Sequence, residues 1–241
     1  MSFVEKLLAS ASKLGFDLTS RQLEQFQVFY EELVDWNQRM NLTAITAYED
    51  VQIKHFLDSL TVTLALKQPL SESTRLIDIG TGAGIPGLPL KIAFPGIRVT
   101  LLEATAKKTT FLHHILGKLG LENVEIAAGR AEDLAHKAEY REKFDVVLAR
   151  GVAHLATLVE LTLPFCAIGG SLIAQQKEPL GGEIKLAGRA IRTMGGKLRE
   201  IKKIELAEFP DERRLVVIEK VAKTPPEYPR RSGVPSKKPL V

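Results

Sequence analysis

The sequence predicts an α/β fold: a mostly parallel sheet covered by helices on both faces, preceded by a small N-terminal helical segment and closed by an antiparallel C-terminal strand. Three observations predict it. Between Arg75 and Ala174 five short apolar runs alternate with helix-length segments, the rhythm of parallel strands joined by crossover helices. Ahead of them the chain carries helical spacing and caps without a strand-like run. Behind them two further strand-like runs, joined by a polar loop containing Pro210-Asp211, read as a terminal antiparallel pair.

The helical segment takes residues 1–66. A first helix runs from about Phe3 through Lys13 and stops at Gly15. Thr19-Ser20-Arg21-Gln22 is a capping box, and Leu23, Phe26, Tyr30, Leu33 and Asn37 follow at helical spacing, with Phe29 and Val34 widening the apolar face. Thr46-Ala47-Tyr48-Glu49 reads as a second box opening a segment through His55. At helical spacing His55-Phe56-Leu57-Asp58-Ser59 puts His55 and Ser59 one turn apart on one face with Asp58 beside them, a pattern typical of a helix surface. The sheet domain, residues 67–222, has strand candidates at Leu76–Ile79, Arg98–Leu102, Val124–Ala127, Phe144–Leu148 and Ser171–Ala174. A helix covers Lys107–Leu119, and the closing pair is Lys197–Glu205 with Arg213–Lys220. Leu161 through Cys166 reads as packed helix, which makes Cys166 a core residue. No internal repeat is found.

Composition excludes several classes. The chain has 241 residues, 45% hydrophobic and 26% charged, enough to bury a core without metal or disulfide staples. One cysteine and five scattered histidines offer no structural zinc set, so no metal is expected and a reducing cytoplasm is the predicted compartment. The start Met-Ser-Phe-Val-Glu-Lys-Leu-Leu lacks a signal-peptide pattern, and no stretch reaches the ~20 apolar residues that span a bilayer, so no membrane partner is expected. The net charge of +4 is carried by residues 223–241, where Lys223, Arg230, Arg231, Lys237 and Lys238 face one acid, Glu227. Five prolines in this tail predict an extended segment, and Arg230, Arg231, Lys237 and Lys238 are its candidate contacts to polyphosphate.

The most informative stretch is Asp78-Ile79-Gly80-Thr81-Gly82-Ala83-Gly84-Ile85-Pro86-Gly87, where the first strand gives way to a helix. Glycines at Gly80, Gly82 and Gly84 let backbone turn and approach a ligand closely. The string from Gly82 also satisfies G-x-G-x-x-G, so the loop alone admits NAD as well as other adenosine cofactors. Asp78, just ahead of the glycines, opposes a pyrophosphate and suits a donor with an ammonium and a sulfonium, which favours S-adenosylmethionine. Glu103 ends the second strand, where a carboxylate can hold ribose hydroxyls. Arg130-Ala131-Glu132-Asp133 follows the third strand and can hold an adenine edge, or simply open a helix with acids at its N-terminus.

After the fourth strand the chain reads Ala149-Arg150-Gly151-Val152-Ala153-His154. The Asn/Asp-Pro-Pro-aromatic tetrapeptide of exocyclic amine methylation is absent, and the packed Cys166 does not serve carbon-5 chemistry. An acceptor that is already nucleophilic, such as a guanine ring nitrogen, needs only orientation. Arg150 is the candidate positioning residue, by its planar fork of donors, and His55 is a second catalytic candidate. Asn41-Leu42-Thr43 is formally a glycosylation acceptor, without meaning in a cytoplasmic protein.

Asn41-Leu42-Thr43-Ala44-Ile45-Thr46, His55-Phe56-Leu57-Asp58-Ser59, the glycine loop, Arg130-Ala131-Glu132, Ala149-Arg150-Gly151-Val152-Ala153 and Tyr228-Pro229-Arg230-Arg231-Ser232-Gly233-Val234-Pro235 occur in that order. The ensemble resembles the bacterial ribosomal RNA small-subunit methyltransferase G family, also called glucose-inhibited division protein B, over nearly the whole chain. The resemblance implies a class I S-adenosylmethionine-dependent methyltransferase fold, Rossmann-like with seven strands. It implies methyl transfer to guanine N7 in the 530 loop of 16S rRNA, as naked RNA or as a small-subunit particle. It places cofactor contacts on Gly80, Ile85, Glu103, Ala104, Thr105, Ala131, Glu132 and Arg150. Members frequently carry Asp where this chain has Glu103, a change that keeps ribose binding. An NAD-dependent oxidoreductase and a non-catalytic RNA-binding assembly factor are the alternatives; an obvious Tyr-x-x-x-Lys proton donor is missing for the first.

Overall fold

The computed structural model describes residues 3–176, 182–209 and 211–241. Pro210, one of the two residues singled out in the closing loop, lies outside them. The N-terminal elements are α1 (Phe3–Lys13), α2 (Ser20–Asn37) and α3 (Tyr48–Val51). The last of these runs without a break through a π-helical turn (Gln52–Leu57) into α4 (Asp58–Leu60) and a 3-10 turn (Thr61–Ala65). Strands β1 (Arg75–Ile79), β2 (Arg98–Glu103), β3 (Val124–Ala128), β4 (Phe144–Arg150) and β5 (Cys166–Gln176) alternate with α5 (Gly87–Ala93), α6 (Ala106–Leu119), α7 (Ala131–Leu134) and α8 (Leu155–Thr162). Then come α9 (Glu183–Thr193), β6 (Gly196–Ile204), β7 (Arg213–Lys220) and α10 (Val234–Lys237).

One seven-stranded sheet has the order β3-β2-β1-β4-β5-β7-β6. Strands β1 to β5 pair in parallel and β7 runs antiparallel to both neighbours, the closing hairpin read from the sequence. Side chains alternate between two cores, as pleating requires. Leu76, Val99, Leu101, Leu148 and Ile173 face the N-terminal helices with α5 and α6; Ile77, Ile79, Leu102, Val147 and Leu172 face α7, α8 and α9. The N-terminal segment is knit into the first core by aromatic contacts: Phe56 is fully buried, 5.0 Å from Phe26 and 5.3 Å from Phe29 between ring centroids.

Local chemistry explains the ends. The Thr19 capping box forms with both of its hydrogen bonds, and the Gln22 amide also donates to the last carbonyls of α5, at Ile92 and Ala93, so one residue starts a helix and ends another. Gly120 (φ +58°) ends α6 in the left-handed region.

Four expectations are corrected. The second capping box does not form, because the helix begins one residue later, with Ala47 at its cap and no side-chain bond. Cys166 is buried as expected, but on the first residue of β5, since a 3-10 turn at Leu163–Phe165 ends the helix before it. His55, Asp58 and Ser59 are buried rather than on a helix surface, because the sheet's edge packs over them. The tail is not simply extended. Pro235 occupies the second position of the one-turn α10, where its missing N–H is no loss. Arg141 draws the tail in by donating to the carbonyls of Thr224, Pro225 and Tyr228.

Candidate active site

The parallel strands end at Ile79, Glu103, Ala128 and Arg150, and the sequence-predicted residues cluster on the loops that follow, the ligand edge of an open α/β sheet. Gly80 (φ +68°), Gly82 (φ +62°) and Gly84 (φ +86°) occupy the left-handed region, which turns the loop back so that the Gly80 and Thr81 N–H groups donate to the Leu102 carbonyl. A Cβ on Gly82 would meet nothing within 4 Å, so the loop presents bare backbone to open space there. A Cβ on Gly87 would stand 2.7 Å from Leu101 and 3.1 Å from the Asp78 carboxylate: that glycine serves close packing. Ile85 is buried beside the loop.

Asp78 is 1% exposed, and its Oδ2 accepts from Thr81 Oγ1 at 2.5 Å and from the Gly87 N–H at 2.9 Å. Its first role is to brace the loop from beneath. Oδ1 is buried without a hydrogen-bond partner. Burial pushes the carboxyl up to about 6, against the opposing pull of the two hydrogen bonds and of the Arg150 charge. Glu103, also buried, ties two loops together: Oε2 accepts from Gly82 N–H at 3.0 Å and Oε1 from Thr105 N–H at 2.8 Å, with Ala104 and Thr105 exposed beside it.

Arg150 meets the N-terminal segment. Its Nη1 donates to the Lys54 carbonyl at 3.0 Å and to Asp58 Oδ2 at 3.1 Å, and Nη2 lies 3.2 Å from His55 Nδ1. His55 Nε2 is 2.8 Å from Thr43 Oγ1. The other oxygen of Asp58 faces Arg213 Nε at 3.1 Å, and the Asp58 carbonyl accepts from the Gln175 amide. Arg213 is 3% exposed, with Asp211 at 2.5 Å and the Phe209 ring beneath its guanidinium. Asp58, Thr43, Gln175 and Arg213 were not among the predicted site residues. Asp58 and Thr43 stood inside motifs already noted, but Gln175 and Arg213 carry no local signal, because only strand pairing brings β5 and β7 to this corner.

Ala131 and Glu132 are buried at the start of α7, and Glu132 Oε1 accepts from the Gly233 N–H of the tail. Arg230 is committed to protein: its Nε and Nη2 grip the fully buried Glu160, and Nη2 also donates to the Lys238 carbonyl. Arg231, Lys237 and Lys238 are exposed. Among the described residues no cluster of three or more His, Cys, Asp and Glu could hold a metal, and no helix is long and apolar enough to cross a membrane.

The residues fit S-adenosylmethionine on three counts. The open space over Gly82 leaves room for a ligand against bare backbone. The buried, unpartnered Oδ1 of Asp78 has unspent capacity for a cationic donor. Glu103 has remaining lone pairs at the end of β2 for hydroxyls.

A family model described as "GidB: rRNA small subunit methyltransferase G" matches residues 22–216. The chain is 52% identical to the ribosomal RNA small subunit methyltransferase G of Dehalococcoides mccartyi, over 99% of this chain and 100% of that protein. It is 46% identical to that of Brevibacillus brevis, over 99% and 98%. Among solved structures, TrmN from Thermus thermophilus (TM-score 0.51, 20% identity, 68% of this chain and 48% of that one) and the fibrillarin pre-rRNA processing protein of Methanococcus jannaschii (TM-score 0.51, 17%, 65% and 71%) share the fold. With the match spanning the glycine loop, Arg150 and the closing hairpin as far as residue 216, the chain belongs to the rRNA small subunit methyltransferase G family.

Proposed function

We propose that the protein methylates N7 of a guanine in the 530 loop of 16S rRNA, in the cytoplasm, with S-adenosylmethionine as donor and rRNA or a small-subunit particle as acceptor. The observation that carries the reading is the pairing of full-length family membership with an acid-framed glycine shelf at the strand ends. Bound S-adenosylmethionine would supply an electrophilic methyl group. Asp78 and Arg150 would hold the charged ends of its methionine moiety, Glu103 its ribose, and Ala131 and Glu132 the adenine edge, with Gly80, Gly82, Gly84, Ile85, Ala104 and Thr105 shaping the cradle.

A guanine N7 carries a free lone pair, so no proton has to leave before attack, and the protein's work is orientation. His55 suits that account. Both of its ring nitrogens have neighbours, Thr43 on one side and Arg150 on the other, so it is built to hold Arg150 rather than to shuttle protons. In this reading residues 1–66 form the helical segment that completes the site, 67–222 the methyltransferase domain, and 223–241 a tail whose Arg231, Lys237 and Lys238 meet RNA phosphate. Arg230 holds that tail in place.

Radiolabelled transfer from S-adenosylmethionine to small-subunit RNA of cells lacking the protein tests the reading, with the modified nucleotide mapped by mass spectrometry. One methyl on a 530-loop guanine, absent without the protein, is the expected result. RNA binding with no transfer makes the chain an assembly factor, and label on another nucleotide overturns the assignment.

A further inference from the structure

Arg150 belongs to β4, yet its side chain is held by the N-terminal segment. Lys54 O, Asp58 Oδ2 and His55 Nδ1 occupy both terminal nitrogens of its fork within 3.2 Å. An arginine always donates, so His55 Nδ1 has to accept, and the ring proton sits on Nε2, pointing at Thr43 Oγ1. The 3.1 Å approach of Nδ1 to the Lys54 carbonyl is then a contact between two acceptors that both serve Arg150.

Asp58 is itself fixed from several sides. Its carbonyl accepts from Gln175 Nε2 at 2.8 Å and Thr61 Oγ1 at 2.6 Å, its second oxygen faces Arg213, and its side chain is 4% exposed. Arg150 also acts electrostatically on the buried carboxylate of Asp78, whose Oδ1 has no hydrogen-bond partner. The guanidinium is therefore gripped by one buried acid and felt by a second.

We infer that Asp58 is a positioning residue: with neutral His55 it holds the Arg150 guanidinium off Asp78, so that the arginine and the loop acid remain separately available to the oppositely charged ends of the donor's methionine group. The inference rests on the S-adenosylmethionine reading. Without the Asp58 charge, Arg150 is left with neutral acceptors, and Asp78, whose buried carboxylate already feels the guanidinium, has an unpartnered oxygen to attract it. Collapse of the two onto each other removes both partners of the ligand at once. It also lowers the pH at which Asp78 ionises.

Calorimetry of S-adenosylmethionine binding to the full chain between about pH 5 and 8 tests this with Asp58→Asn, which keeps shape and an acceptor but no charge. Expected are a Kd raised at least about tenfold, the loss of one charge-assisted contact, and an acid limb of the binding curve moved to lower pH. In turnover the KM for the donor rises more than kcat falls. Because Asp58→Asn leaves buried Arg213 less compensated, Asp58→Asn/Arg213→Met restores the charge balance and is expected to keep the raised Kd while recovering stability. A variant that folds, binds within about twofold of wild type and keeps the same acid limb overturns the positioning role. A wild-type chain that binds no S-adenosylmethionine overturns the donor reading, and this inference with it.

Discussion

Replacing Asp78 by asparagine separates what the loop acid costs the fold from what it gives the ligand. Burial raises its carboxyl from 3.8 to about 6, so in the intervening window the folded state binds a proton that the unfolded chain has released. Stability therefore falls as pH rises through that window, and the full penalty, roughly 3 kcal/mol, is present above the folded value. Between about pH 5 and pH 8 the wild type is expected to lose roughly 1.4 kcal/mol through this one group, and the asparagine variant none of it. The variant's absolute stability is a separate matter. Its amide can accept from Thr81 and Gly87 through oxygen, but its NH2 then occupies the place of the unpartnered Oδ1, at a cost of about 1–3 kcal/mol. Urea titrations of both proteins at the two pH values give the difference directly, because every other titrating group cancels. Parallel stability curves would refute the claim that burial dominates at Asp78. The same variant is expected to bind S-adenosylmethionine more weakly, while wild-type binding releases a proton near pH 6, seen as a buffer-dependent enthalpy.

Five other outcomes are expected. Gly82→Ala strains a left-handed residue by about 1 kcal/mol but points its methyl into open space, so donor affinity falls while the fold survives. Gly87→Ala instead drives a methyl to 2.7 Å from Leu101, and thermal unfolding is expected to register about 1–3 kcal/mol. Neutralising Arg231, Lys237 and Lys238 together flattens the log–log salt dependence of RNA binding by up to roughly 0.7 per lost contact without moving the melting curve. Arg230→Met, which strands the buried Glu160, costs about 3 kcal/mol of stability. Phe56→Ala empties the space between Phe26 and Phe29 and should cost about 3–5 kcal/mol in a denaturant titration.

Much of this was legible in the amino-acid order because it rests on local physics. Strand periodicity, the Thr19 cap, Gly120 at the end of α6 and the glycine loop each depend on neighbours a few residues away. The motifs placed Asp78, Glu103 and Arg150 at strand ends, and the parallel order of β1 to β4 then had to bring those ends to one edge. The errors have a common form. Thr46 had the right residue type one position too early, Cys166 sat where an apolar run admits helix or strand, and the His55 helix looked like a surface because nothing local says what packs on it.

Sequence alone determined the elements, the glycine cradle and the identity of its acids, since backbone conformation and side-chain chemistry are properties of short segments. Tertiary structure alone decided how the charges pair. Arg213 reaches Asp58 only because β7 inserts antiparallel beside β5, Arg230 is diverted from solvent by Glu160 some 70 residues away, and Arg150 is set by a helix turn 92 to 96 residues before it. Buried ions choose partners by distance and desolvation, and both exist only once the chain has closed on itself.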